Sequence, residues 1–88
     1  MTKTPIIGQI VVSQAGRDQG QIYQVVAITK EGKLLLADGR KRGLDHLKQK
    51  NPRHVRIVHS IATGEATQGS FSDLTVRNAI ATLLPDKL

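Results

Sequence analysis

The chain has 88 residues, no cysteine, only two aromatic residues and a formal net charge of +6 at pH 7. This length fits one small domain, which has little room for a deep substrate cavity. The absence of cysteine excludes disulfides, thiol catalysis and the usual structural zinc sites, and two aromatic rings are too few for a base-stacking module. The excess positive charge predicts a polyanionic partner such as nucleic acid or an anionic membrane.

The first half of the chain predicts short strands. Residues 9–13 and 21–29 are rich in β-branched side chains, which favour strands. The second of these segments is apolar on both faces, as in a small barrel whose strand also supports a helix or terminus. Residues 33–38 predict a third strand, antiparallel to the second across a tight turn at Gly32. Residues 54–59 alternate in polarity and predict the strand that closes the sheet.

The loop between the first two predicted strands contains two glycines, Gly16 and Gly20. Glycine permits a positive φ or a close backbone approach at both ends of the loop. Arg17 is placed at the tip, and Asp18 is expected to hold the loop through an Asx-type bond or to pair with Arg17. Such a tip presents backbone amides and a guanidinium to phosphates; an ordinary hairpin loop is the alternative.

Most of the net charge lies in residues 38–56, the basic segment, which holds seven basic and two acidic residues. The rest of the chain is nearly neutral. A solvated loop would not need its charge concentrated in one place, so the pattern favours a binding surface. Around Asn51 and Pro52 we expect extended backbone, because proline restricts the residue before it.

The C-terminal part predicts a helix after a linker at residues 61–69, which is rich in glycine and small polar residues. Ser70 or Ser72 is positioned to cap the helix, and Pro85 ends it. One apolar stripe at helical spacing supports the helix: Val76, Ala79, Ile80, Leu83 and Leu84.

Three motifs in fixed order carry a family resemblance: AGRDQG at residues 15–20, ADGRKR at 37–42 and KNPRH at 50–54. Together with GQIVVS at residues 8–13 and the valine pair at 25–26, they resemble the KOW-motif RNA-binding proteins. The likeness is to small bacterial proteins akin to the eukaryotic-type large-subunit ribosomal KOW proteins, and it covers about residues 7 to 58. The resemblance implies an SH3-like small β-barrel that binds RNA, typically ribosomal RNA.

The expected architecture is therefore a mainly β protein, with an SH3-like barrel at residues 1–59 and a linker and C-terminal helix at 60–88. The expected function is cytoplasmic, ribosome-associated binding to the backbone of structured RNA. The alternative is a protein-interaction module that contacts ribosomal protein or RNA polymerase through its apolar helix face. Gly16, Asp18 and Gly20 are expected to shape the first loop. The residues predicted to bind RNA are Arg17, Lys41, Arg42, Lys48, Lys50, Asn51, Arg53 and His54.

No enzyme, cofactor, metal site or small-molecule substrate is predicted. Ser13, Asp18 and His54 include the residue types of a catalytic triad, but the chain has no nucleophile-elbow motif. The three histidines, His46, His54 and His59, would need an additional carboxylate and a water to hold zinc. No membrane span is expected, because the longest apolar runs are far shorter than the ~20 residues that cross a bilayer. Association with a membrane surface is not expected either, because the basic segment does not form an amphipathic basic helix.

Overall fold

The computed structural model describes residues 5–58 and 71–83. The predicted linker at 61–69 and the predicted helix end at Leu84 and Pro85 lie outside the described residues. Within these residues the elements follow in this order: β1 (Ile10–Ser13), β2 (Ile22–Ile28), β3 (Leu34–Ala37), β4 (Lys48–Lys50), a 3-10 turn (Pro52–His54), β5 (Val55–Ile57) and α1 (Asp73–Leu83).

The five strands form one open antiparallel sheet in the order β4-β3-β2-β1-β5. Consecutive strands pair along the chain except at β5, which pairs with β1. Val11 lies in the middle of this arrangement, opposite Tyr23 on one side and Ile57 on the other. The predicted mainly β class with a C-terminal helix is confirmed, and β4 and β5 form the two edges of the sheet.

Strand β2 is covered on both sides, as its two apolar faces predict. One face carries the main apolar core, formed by Val11, Tyr23, Val25, Leu34 and Leu36. On the other face Gln24 pairs with Ile10 and Ala37, and all three are at most 1% exposed. Helix α1 contacts β2, and its fully buried Val76 does not belong to the main core. The helix therefore covers the second face.

Helix α1 begins with a reciprocal cap. The Thr75 amide donates to the Ser72 hydroxyl at 3.1 Å, and the Ser72 amide donates to the Thr75 hydroxyl at 2.9 Å. This is the geometry of a capping box, which satisfies two backbone donors at the helix start. Of the two predicted caps, Ser72 is confirmed and Ser70 lies outside the described residues. Along the predicted stripe, Val76 is buried and Ala79 and Ile80 are half-buried.

Strand β4 is an element that the sequence pattern does not predict. Its three residues, Lys48, Gln49 and Lys50, contain no apolar side chain to mark an inward face. Backbone pairing with β3 forms the strand, with Lys48 opposite Leu36 and Lys50 opposite Leu34. Directly opposed residues share a face of the sheet. Both lysine stems therefore lie on the side of the main core, where long side chains cover apolar surface.

Candidate nucleic-acid interface

The loop between β1 and β2, residues 14–21, is closed by backbone hydrogen bonds. The Ser13 amide donates to the Gln21 carbonyl at 2.9 Å, and the Gly20 amide donates to the Ser13 carbonyl at 2.8 Å. Gly20 has a φ of +94°, in the left-handed region that glycine enters without steric cost. Arg17 is exposed at the tip. The predicted Gly-bounded hairpin with an outward arginine is present.

The β1–β2 loop is held from inside by a cluster around the carboxylate of Asp18, which we call the Asp18 cluster. The Ser13 hydroxyl donates to Asp18 Oδ1 at 2.9 Å, the Tyr23 hydroxyl to Oδ2 at 2.7 Å and the Lys50 ammonium to Oδ1 at 2.9 Å. The Lys50 and Asp18 side chains are only 9% and 14% exposed. One carboxylate therefore ties together β1, β2, β4 and the loop.

The two titratable acids of the Asp18 cluster are shifted in opposite directions. Burial acts to raise the pKa of Asp18, but hydrogen bonds from Lys50, Tyr23 and Ser13 outweigh it and hold this pKa well below its usual range. Burial, together with the hydrogen bond to Asp18, raises the pKa of Tyr23 well above its usual range. The cluster thus keeps a carboxylate charged and a phenol neutral over the whole physiological range.

The Asp18 cluster changes the roles of two residues singled out from sequence. Asp18 holds the loop through donors from β1, β2 and β4, not through a local Asx turn or a pair with Arg17. Lys50, predicted to bind RNA, directs its ammonium at Asp18 and at the Ala15 carbonyl, 3.0 Å away. This ammonium is engaged within the protein, so we assign Lys50 a structural role in the loop.

The segment after β4 is a helical turn and not the extended run predicted around Asn51 and Pro52. Asn51 itself is extended, with φ −74° and ψ 137°, but Pro52–His54 forms a 3-10 turn. The Asn51 side-chain oxygen accepts from the Arg53 amide at 3.2 Å and caps this turn. Because proline supplies no donor and suits the first position of a helix, the turn can begin directly after the cap.

The 3-10 turn and the β1–β2 loop are joined by the backbone. The Gln14 amide donates to the His54 carbonyl at 2.8 Å, and Lys50 adds its two bonds to the loop from the end of β4. Arg17, Arg53 and His54 are all exposed. The structure therefore presents these three predicted site residues on two segments that are hydrogen-bonded to each other.

The β3–β4 loop, residues 38–47, carries the densest group of cations, and an aspartate organises its backbone. Asp38 Oδ1 accepts from the amides of Arg40 at 2.8 Å and Arg42 at 2.9 Å. The side chains of Arg40 and Lys41 are exposed. The Arg42 guanidinium lies 3.0 Å from the ring of His46.

Helix α1 supports the β3–β4 loop from behind. Asp73 accepts from the Leu44 amide at 2.9 Å, and the Arg77 guanidinium donates to the Gly39 carbonyl at 2.6 Å. A Cβ atom at Gly39 would lie 2.5 Å from the Asp73 carbonyl oxygen and from the Arg77 side chain. Sequence reasoning missed the roles of Asp73 and Arg77 because their partners lie about 30 or more residues earlier in the chain. Gly39, the glycine of the ADG motif, is the sequence feature from which a close contact at this turn could have been inferred.

Within the described residues, Lys50 and Asp18 form the only ion pair. The other predicted cations, Arg17, Lys41, Arg42, Lys48 and Arg53, have no carboxylate within 4 Å in that part of the chain. Two acids of the region bind backbone amides instead: Asp38 holds the β3–β4 loop and Asp73 the amide of Leu44. Among the described residues, these five cations are therefore left without a paired carboxylate.

Across residues 5–58 and 71–83, no three histidine or carboxylate side chains gather into a metal-binding group. The same residues contain no helix with the length and apolar character needed to cross a membrane. No protein-family model matches the chain, and a search of curated proteins finds no significantly similar sequence.

Proposed function

We propose that this chain is an RNA-binding protein that recognises the phosphate backbone of structured RNA, with ribosomal RNA as the first candidate. One observation carries the proposal: cations of the basic segment and of the β1–β2 loop sit on hydrogen-bonded backbone without carboxylate partners in the described part of the chain. Phosphate is the dense anion that such an array fits. A cytoplasmic, ribosome-associated location is part of the proposal.

The arrangement of loops supports backbone recognition. The side chains of Arg17, Lys41 and Arg53 are exposed, while the turns that carry them are closed by hydrogen bonds. Binding to loops that are already ordered costs less conformational entropy than binding to mobile ones. Arginine offers a planar fork that matches phosphate, and lysine adds a point charge. A-form RNA is recognised largely by shape and through its phosphates, which suits this chemistry.

We also propose that the sheet curls into the SH3-like barrel of the KOW family. In a flat sheet the edge strands β4 and β5 would lie about 19 Å apart, at ~4.8 Å per strand spacing. They are joined by residues 51–54 alone, three of them in a 3-10 turn. With a rise of ~2 Å per 3-10 residue and ~3.5 Å per extended one, this connection reaches only about 14 Å. Because this connection is shorter than the separation in a flat sheet, it supports a curled sheet in which β4 and β5 approach each other.

The Asp18 cluster supports the same curling. Lys50 lies opposite Leu34, which lies opposite Ile28 at the far end of β2. Asp18, in contrast, precedes the near end of β2. The ammonium and the carboxylate nevertheless meet at 2.9 Å. A sheet that folds over on itself brings these two positions together, and the irregularity in β2 between Val25 and Ala27 is the kind of bulge that bends a strand.

The protein-interaction alternative depended on an exposed apolar helix face. Val76, the first residue of that stripe, is fully buried, and Ala79 and Ile80 are half-buried. The helix packs on the sheet and supports the β3–β4 loop, so this face has a role within the domain. We therefore argue for RNA and not for ribosomal protein or RNA polymerase as the partner.

The proposal is tested by removing two cations whose side chains make no hydrogen bond in the described part of the chain. The variant is Lys48→Ala with Arg53→Ala, titrated against a structured RNA fragment by fluorescence anisotropy. We expect at least a tenfold loss of affinity, equal to about 1.4 kcal/mol. The melting temperature should fall only slightly, because Lys48→Ala also removes a stem that covers apolar surface.

The matched control for this variant is Lys30→Ala with Lys33→Ala in the turn between β2 and β3, which also carries Glu31. It removes the same charge outside the predicted site, and we expect its affinity to stay within threefold of wild type. Equal losses of RNA affinity in both variants would mean that binding depends only on the net charge of the protein. Wild-type affinity in the Lys48→Ala, Arg53→Ala protein would overturn the proposed site.

A further inference from the structure

A surface groove lies at β5 and at the 3-10 turn that precedes it. Its volume is about 560 Å³, within the ~300–1,000 Å³ of sites that hold small ligands. Apolar side chains of Pro52, Val55 and Ile57 line it, and the guanidinium-bearing residues Arg53 and Arg56 flank them. Arg56 was counted in the basic segment but not among the predicted site residues. The groove therefore combines an apolar lining with two cations.

In the described part of the chain, no acidic group lies against the two arginines of this groove. None of its lining residues is acidic, and neither arginine has a carboxylate within 4 Å in the described part of the chain. Gln14, whose exposed side chain also lines the groove, offers an amide with both donors and an acceptor. A ligand that fits has a flat or apolar body, an anionic group and polar edges.

We propose that this groove receives one unpaired nucleotide of the bound RNA, its phosphate held between Arg53 and Arg56. An unstacked base can lie against the plane of an arginine side chain, which needs no aromatic ring. The side-chain amide of Gln14 is then within reach of the edge of the base. This inference rests on the proposed function and narrows its substrate class from any structured RNA to RNA that contains a bulge or loop.

The position of the groove agrees with the rest of the candidate interface. Arg53 belongs to the 3-10 turn, and Gln14 begins the β1–β2 loop, to which that turn is bonded through the His54 carbonyl. The groove therefore continues the surface that presents Arg17 and His54. A duplex lying on these cations would place an extruded nucleotide beside the groove.

The test compares two RNA probes by fluorescence anisotropy: a 20-base-pair duplex and the same duplex with one unpaired uridine at its centre. We expect wild-type protein to bind the bulged probe at least fivefold more tightly. Arg56→Lys keeps the charge but removes the planar fork, so duplex affinity should stay within twofold while the preference for the bulge falls below twofold. The matched control, Arg17→Lys, should keep the fivefold preference.

The possible failures are distinguishable. Equal binding of both probes by wild-type protein would overturn the groove inference and leave the proposed function standing. A bulge preference that survives Arg56→Lys would also overturn it, because the selectivity would then arise elsewhere. Binding of neither probe would overturn both proposals. If an extended acidic peptide perturbs the nuclear magnetic resonance signals of Val55–Ile57 and the bulged RNA does not, the groove belongs to a protein partner added along β5.

Discussion

The β1–β2 loop and the β3–β4 loop are both organised by an aspartate, but the two aspartates use different partners. Asp18 binds side chains, namely Ser13, Tyr23 and the ammonium of Lys50. Asp38 binds backbone amides of its own loop. The first arrangement consumes a cation of the basic segment, whereas the second leaves the neighbouring Arg40 and Lys41 exposed.

This difference shows that position in a basic segment does not determine a residue's role. Lys48 and Lys50 are two residues apart on the same strand and on the same side of the sheet. Lys50 is nearly buried and paired with Asp18, while Lys48 has no carboxylate nearby in the described residues. The segment therefore divides into one cation that stabilises the fold and several that are available to a polyanion.

The largest expected effect comes from breaking the Asp18 cluster. Asp18→Ala leaves the Lys50 ammonium nearly buried without its counter-charge, and we expect a loss of about 3 kcal/mol in the free energy of unfolding. Urea denaturation followed by circular dichroism measures it. Asp45→Ala removes an exposed carboxylate and should cost less than about 0.5 kcal/mol.

A second variant keeps this prediction testable if Asp18→Ala fails to fold. Asp18→Ala with Lys50→Met removes the unpaired charge as well, so it should be more stable than Asp18→Ala by about 1 kcal/mol or more. A loss below about 1 kcal/mol in Asp18→Ala would mean that the cluster does not hold the loop to β4.

Two glycines, one in each loop, extend the comparison. Gly39 and Gly20 both have positive φ, +80° and +94°. A Cβ at Gly20 meets nothing within 4 Å, whereas one at Gly39 collides with the Asp73 carbonyl of α1. Gly20→Ala should therefore cost only the left-handed strain, about 1 kcal/mol, and Gly39→Ala about 2–3 kcal/mol because the helix must also shift.

Thermal unfolding of Gly20→Ala and Gly39→Ala in parallel measures this difference. Equal destabilisation would show that α1 does not press on the β3–β4 loop. A greater loss in Gly20→Ala would contradict the contact between Gly39 and the helix directly.

The Asp18 cluster should make the protein less stable at both low and high pH. The folded pKa of Asp18 is lowered, so its stabilisation is complete above about pH 4, the pKa of an unfolded aspartate, and is lost as pH falls below it. The folded pKa of Tyr23 is raised, so its stabilisation is complete below about pH 10 and is lost as pH rises above it.

The variant that isolates the alkaline limb is Tyr23→Phe. It should be less stable than wild type by about 1 kcal/mol at pH 7, the worth of one hydrogen bond. This deficit should shrink above pH 10, because wild-type protein loses the contribution of Tyr23 there. A deficit that stays constant up to pH 11 would show that the Tyr23 hydroxyl is not bound to Asp18.

Much of this fold is predictable from local pattern. The β-branched segments predict β1 and β2, the turn at Gly32 predicts β3 after it, and the alternation of polarity predicts β5. The apolar stripe with Ser72 predicts α1 and its start. β4 is not predictable in this way, because Lys48 and Lys50 join the sheet through backbone pairing with β3. Pro52 correctly predicts extended backbone at Asn51, but Pro52–His54 forms a 3-10 turn where an extended run was expected.

The candidate site is less predictable than the fold, for a physical reason. Exposure of Arg17, Lys41 and Arg53 follows from charge and loop position. The engagement of Lys50 does not, because it depends on Asp18, 32 residues earlier in the chain, being brought to it by the sheet. Long-range pairing of this kind leaves no spacing signature in a single sequence.

The central claim is that the unpaired cations of the β1–β2 loop and of the basic segment neutralise phosphates of the RNA. The salt dependence of RNA binding tests this claim most directly. If about four phosphates are contacted, the logarithm of the association constant should fall against the logarithm of salt concentration with a slope of roughly −3. In Lys48→Ala with Arg53→Ala the slope should become shallower, to about −1.5, because each lost contact removes about 0.7–0.9. A wild-type slope near zero with retained affinity would contradict the account.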